Sequence, residues 1–237
     1  MRKYLFFYCF ISISLFAEIC EENYPDKIPL FGDLHVHTGL SLDAATQGTI
    51  NRPDDAYRYG KGESISIQPY KDGIGQRTSK LSQPLDFMSV TDHAELLGEV
   101  NICESPELDG YSNLVCLGYR YFPKLAYFYM NGMASLAKPI SFCGDDRKNC
   151  KEATRTPWQE IIKSAEKHNA PCKFTTFIGY EWTGAKYSGN NLHRNIIFEN
   201  SSVPELPVSF YDATSREELW NKLDSECTKD CEYVVIP

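Results

Sequence analysis

Nearly continuous runs of apolar and β-branched residues recur along the chain, each closed by a polar or glycine-bearing stretch. Residues 28–36, 85–91, 174–180 and 192–198 have the length and composition of strands, and 85–91 and 174–180 lack the alternation of a half-solvated strand. Runs of that kind suit strands covered on both faces, so the pattern predicts a parallel α/β architecture. Helical spacing lies between them. Trp158, Ile161, Ile162 and Ala165 share one helical face and predict a helix over 156–168, just ahead of the third strand. Pro53, Asp54 and Asp55 at one end and Gly62 at the other mark a helix over 54–62. A helix over 215–226 precedes a final strand over Tyr233–Ile236, and Gly189, Asn190 and Asn191 suit a tight turn between the third and fourth strands.

Between the second and third strands lies a long segment, 98–155, which holds four cysteines and the aromatic-rich stretch 119–129. It is expected to be a disulfide-braced insertion on one rim of the domain, with its aromatics packed in a core rather than forming a stacking platform. Residues 1–17 read as a secretory signal: Arg2 and Lys3 precede an apolar run too short for a comfortable membrane span. Residues 18–237 are then the mature chain, secreted or periplasmic. Once Cys9 leaves with the signal, eight cysteines remain, an even count that favours disulfides in an oxidising compartment. Cys103 with Cys116, Cys143 with Cys150 and Cys227 with Cys231 are the pairs close in sequence, though spacing alone does not fix connectivity. A structural zinc site would need repeated close cysteine pairs, which the sequence lacks.

A net charge of −8 argues against nucleic acid as a partner, since that affinity rests on clustered Lys and Arg. No membrane partner is expected beyond the signal segment. The chain ends as a strand is completed, whereas a barrel needs its last strand covered and its sheet closed, so the sequence is expected to be the front part of a longer protein.

The chemistry concentrates where predicted strands end. In Asp33-Leu34-His35-Val36-His37-Thr38, residues two apart share a face, so His35 and His37 project together as a chelating pair with Asp33 beside them. Thr91-Asp92-His93-Ala94-Glu95 places a further imidazole at the end of the second strand, and parallel α/β folds build their sites at such ends. Glu181 closes the apolar third strand, where an unpaired buried carboxylate is costly unless cations bridge it. His193 follows the turn; a solvated histidine beside Arg194 is the competing reading of that residue. His168, at a polar helix end, is left out of the site. Mixed His and carboxylate donors suit two or three divalent ions, Zn, Mn or Fe, which would lower the pKa of a bridging water and offset charge on a phosphoryl or carbonyl oxygen. Asp33, Asp43 and Asp92 are the candidates for orienting the imidazoles or assisting proton transfer.

Phe31-Gly32-Asp33-Leu34-His35-Val36-His37-Thr38, Ser41-Leu42-Asp43-Ala44, Pro53-Asp54-Asp55-Ala56-Tyr57 and the stretch 84–95 resemble the PHP (polymerase and histidinol phosphatase) superfamily, and within it a DUF3604-like branch of secreted proteins. The resemblance runs from about Pro29 to the end and is weak through the cysteine-rich insertion. It implies a distorted TIM-like (β/α)7 barrel of seven strands, incomplete in this chain, a two- or three-metal site and phosphoester hydrolysis of a small or polymer-linked substrate. Position by position, His35 and His37 match the first His pair, Asp92 and His93 the second motif, Glu181 the bridging acid and His193 the next imidazole. The family's further ligands, a His after a strand like the last one here and later an Asp and a His, are absent from these 237 residues. Two other readings stand beside phosphoester hydrolysis: cleavage of an amide or carboxylic ester at the same kind of centre, since metal-activated water does not itself choose phosphorus over carbon, and a non-catalytic binding module on the same fold.

Overall fold

The computed structural model describes residues 27–185 and 191–237; the predicted signal segment 1–17, Cys9, Cys20 and two residues of the predicted turn, Gly189 and Asn190, lie outside them. Each predicted strand forms. They are β1 (Gly32–Val36), β4 (Phe87–Val90), β5 (Thr175–Ala185), β6 (Asn191–Phe198) and β7 (Tyr233–Ile236), joined side by side in one sheet in the order β1-β4-β5-β6-β7. A separate antiparallel pair, β2 (Ile65–Lys71) with β3 (Ile74–Ser79), was not expected.

The sheet corrects the predicted parallel architecture, because it is mixed. β1, β4 and β5 run parallel, while β5, β6 and β7 alternate in direction. The tight turn expected between the third and fourth strands already carried this result: two strands joined by so few residues can pair only antiparallel. Among the described residues the sheet is open, with β1 and β7 at its edges, and it closes into no barrel. The first strand is also shorter than expected. Ile28, Leu30 and Phe31 are exposed and the strand begins only at Gly32, since an edge strand has a neighbour on one side alone.

Helix α6 (Lys148–His168) lies against the sheet through Trp158, Ile161 and Ala165, all buried with Met88, Val90, Ile178 and Tyr180 in the main core. The helix starts eight residues before the expected Thr156 and runs through Pro157. A proline there cannot bond the carbonyl four residues back. The Ala153 carbonyl so released accepts from the Asn101 side chain at 2.8 Å, which makes good the hydrogen bond that the proline cannot supply. Helix α2 (Pro53–Gly60) forms close to expectation, with Asp55 accepting from the Arg52 backbone N–H. Helix α7 (Arg216–Glu226) is capped by Ser215, whose hydroxyl accepts from the Glu218 N–H. Ser215→Ala is expected to lower stability by about 1 kcal/mol, read from the urea midpoint at unchanged slope.

The cysteine-rich insertion is helical. It comprises α3 (Leu97–Glu104), α4 (Leu114–Tyr121) and α5 (Pro123–Ser135), beside the short α1 (Leu42–Thr46). Its own small core gathers Val100, Ile102, Met130 and Ile140 around the disulfides Cys103–Cys116 and Cys143–Cys150. Gly98 lets α3 approach α6, since a Cβ there would lie 2.1 Å from the Cys150 carbonyl oxygen. A third disulfide, Cys227–Cys231, follows α7, and Cys172 is also disulfide-bonded. Such bonds persist in oxidising or extracellular surroundings. Among the described residues no helix is long and apolar enough to cross a membrane.

The aromatics of 119–129 correct the expectation of core packing. Tyr119 is buried, but Tyr121, Phe122, Phe128 and Tyr129 are exposed, together with Leu125. Apolar residues occupy the solvent side of α4 and α5 as well as the core side, so composition could not distinguish the two faces.

Candidate metal centre

Three parallel strands end on one side of the sheet and bring three motifs together. The backbone bridge between His93 and Glu181 ties the end of β4 to β5, and β1 lies on the other side of β4. Because β6 runs antiparallel to β5, its beginning lies beside the end of β5, with His193 opposite Thr183. The reversal of β6 therefore delivers the fourth imidazole, which a parallel strand would have carried at its far end.

Glu181 is fully buried at the centre of the group. Its Oε2 lies 2.8 Å from His35 Nε2 and 2.9 Å from His37 Nε2. Its Oε1 faces the other pair, in hydrogen-bond contact with His193 Nδ1 and 3.5 Å from His93 Nδ1. Each oxygen thus serves one histidine pair. All five residues expected as ligands meet at this point.

Asp43 joins them from α1: its Oδ2 is 2.8 Å from His37 Nδ1 and 4.0 Å from His93 Nε2. The other two acidic candidates face elsewhere. Asp92 is buried, and its two oxygens accept from the Thr38 backbone N–H at 2.5 Å and hydroxyl at 2.7 Å, fastening the loop after β1 to the end of β4. Asp33 is exposed and accepts from the His35 backbone N–H. Asp43 therefore contacts the imidazoles, while Asp92 acts on their backbone.

Sequence reasoning missed Thr183 and Glu95. The Thr183 hydroxyl donates to Glu181 Oε1 at 2.6 Å and sits 2.9 Å from His93 Nδ1. Glu95 is buried, accepts from the backbone N–H groups of Thr183 and Phe210, and has Oε2 3.8 Å from His93 Nδ1. Thr183 lies two residues beyond Glu181 on β5, where the period-2 rule would have found it, whereas Glu95 lies in the turn after β4, beyond the reach of that rule. His168 stays outside the site, bonded to Asp54 at 2.9 Å.

The electrostatics describe a site organised around negative charge. Burial opposes ionisation of Glu181, but hydrogen bonds and nearby positive charge, above all from His37, outweigh it and hold the carboxyl well below the usual range. Asp43 is held low in the same way, its burial outweighed by His37. His37 loses favour by burial, yet its bonds to Asp43 and Glu181 raise it to about 10. Burial pushes His93 down to about 4, and burial pushes Glu95 up to about 8 and Asp92 up to about 6.

These residues fit divalent cations. Asp43 Oδ1 is buried with no hydrogen-bond partner, a lone pair that a cation would satisfy. Three groups, His35 with His37 and Glu181, His93 with Glu181 and His193, and His37 with Asp43 and His93, each place their donor atoms within 4.8 Å of one another. Ions with bond lengths of about 2.0–2.2 Å to imidazole and carboxylate work on that scale. Glu181 belongs to two of the groups, one through each oxygen, as a bridging carboxylate does. Beside them lies a cleft of about 220 Å³, its wall shared by Asp43, His93, His193, Thr183 and, from α5, Tyr127, Asn131 and Ser135.

No curated protein and no solved structure matches the chain. A family model described as "Protein of unknown function (DUF3604)" matches residues 24–237. That span takes in the sheet, the helical insertion and every histidine of the site, and the chain belongs to the DUF3604 family.

Proposed function

We propose that this chain carries the metal centre of a divalent-metal-dependent hydrolase of the PHP superfamily, acting on phosphoesters outside the cytoplasm. The observation that carries the reading is the division of Glu181 between two histidine pairs, one on each oxygen. Four imidazoles around one deeply buried carboxylate are hard to explain as a folding device, because burying charge costs more than apolar packing of similar volume.

Zn, Mn or Fe ions held there supply Lewis acidity toward water and toward an ester oxygen. His35, His37, His93, His193 and Glu181 hold them. Asp43 fixes the His37 ring through Nδ1 and leaves Nε2 directed at Glu181. Asp92, through Thr38, keeps β1 and β4 in register so that the two motifs meet. Tyr127, Asn131 and Ser135 give the cleft polar groups for the non-reacting part of a substrate. The TIM-like barrel expected from the superfamily is part of this proposal, as is secretion, which the disulfides support.

The test is a metal and substrate panel. Protein stripped with chelator and reloaded with Mn or Zn is expected to retain at least two equivalents by elemental analysis and to cleave p-nitrophenyl phosphate esters. Cleavage of p-nitrophenyl acetate with no phosphoester turnover would overturn the phosphoesterase reading, and failure to retain metal would overturn the whole.

A further inference from the structure

We infer that the solvent face of α4 and α5 docks the protein on an anionic phospholipid bilayer. Leu114, Leu117 and Tyr121 lie at i, i+3 and i+7 on α4, and Phe122, Leu125, Phe128 and Tyr129 continue the stripe along α5. All are exposed, Leu114, Tyr121, Leu125 and Phe128 by 70% or more. Soluble surfaces rarely gather so many large apolar side chains in one place unless something covers them.

Charge selects the occupant. The chain as a whole carries −8, yet residues 110–144 contain no Asp or Glu and three basic residues, Arg120, Lys124 and Lys138. Arg120 is engaged, donating to the Cys103 carbonyl and stacking on Tyr111. Lys124 and Lys138 are exposed and in no ion pair among the described residues. A second copy of the chain is disfavoured, because a two-fold interface sets the same patch against itself and brings like charges together with no acid in the segment to neutralise them. A lipid surface meets both halves of the pattern. Phe and Leu side chains enter the acyl boundary, Tyr121 and Tyr129 keep their hydroxyls among the headgroups, and the two ammonium groups meet lipid phosphates.

A membrane partner was not expected beyond the signal segment; the net charge of the whole chain hides the acid-free segment 110–144. Tyr127, Asn131 and Ser135 on the same α5 line the cleft, so docking brings that cleft close to the bilayer. The inference does not depend on the hydrolase reading, because it is tested without metal or substrate.

The experiment is co-sedimentation of the chain with phosphatidylglycerol-rich and with pure phosphatidylcholine vesicles, alongside sedimentation velocity without lipid. Binding is expected to the anionic vesicles and to weaken as salt rises. Phe122→Ser with Phe128→Ser should weaken it on the order of 100-fold, and Lys124→Glu with Lys138→Glu by about tenfold or more, with the circular dichroism melt of each unchanged. Equal binding to both vesicles overturns the role of charge. No binding to either overturns the proposal, and if self-association is then abolished by the Phe substitutions, the face belongs to a second copy.

Discussion

Glu181→Gln is expected to lower metal affinity by about 100-fold or more and to remove phosphoester turnover with it. Residues that only orient a ligand are worth about 10–100-fold in affinity, so a carboxylate that touches both histidine pairs should reach at least the upper end. The amide keeps the size of the side chain and removes the charge. It also replaces one acceptor oxygen by a donor NH2, which cannot serve both His35 and His37 on one side and His93 and His193 on the other. Asp43→Asn provides the comparison. It touches His37 and stands 4.0 Å from His93, so its loss should fall within about 10–100-fold. Metal content by elemental analysis and affinity by competition with a chromophoric chelator measure both. A Glu181→Gln protein that keeps full metal content would remove the bridging carboxylate from the account.

Arg147→Met is expected to cost about 3–5 kcal/mol at neutral pH, with the loss shrinking as the solution is acidified. The Arg147 guanidinium donates to Glu99 at 2.9 Å, lies 3.7 Å over the Tyr211 ring and reaches the Glu95 carbonyl, joining α3 to the start of α6 and to the segment after β6. Glu99 is fully buried. Burial raises its pKa even beside the arginine, so the folded chain already binds the proton more tightly than the unfolded chain does. A carboxyl with a raised folded pKa makes folding more favourable as pH falls through that value. Without the guanidinium the shift grows, and protonating Glu99 removes the unpaired charge that makes the variant unstable. Urea unfolding of parent and variant at matched pH isolates the difference from the other carboxylates. A difference constant from pH 7 down to about 4.5 would show that lost packing on Tyr211, rather than an orphaned charge, sets the cost. Glu99→Gln combined with Arg147→Met should cost less than Arg147→Met alone.

The site was legible because metal chemistry restricts residue types and strand geometry restricts their spacing. His35 and His37 share a face by period 2, His93 and Glu181 fall where apolar runs end, and those facts need no partner strand to be read. Asp92 marks the limit of such reading. Its position beside His93 suggested an imidazole partner, yet its side chain turns to Thr38, a residue far away in sequence. Which of two neighbouring acids faces a histidine depends on what the opposite strand presents, and one sequence does not list that.

By itself the sequence determined the positions of the central strands and of α2 and α7, the three close disulfide pairs as candidates, and Glu181 with the four histidines around it. Each rests on local rules: side-chain period, capping chemistry, and the few residue types that bind cations. Only the tertiary structure decided that the sheet is mixed, that Pro157 lies inside a helix because Asn101 serves the freed carbonyl, and that the aromatics of α4 and α5 face solvent. These depend on groups distant in the chain. An apolar run records that a surface is apolar, and only its packed neighbours determine whether that surface is buried in a core or left open for something else.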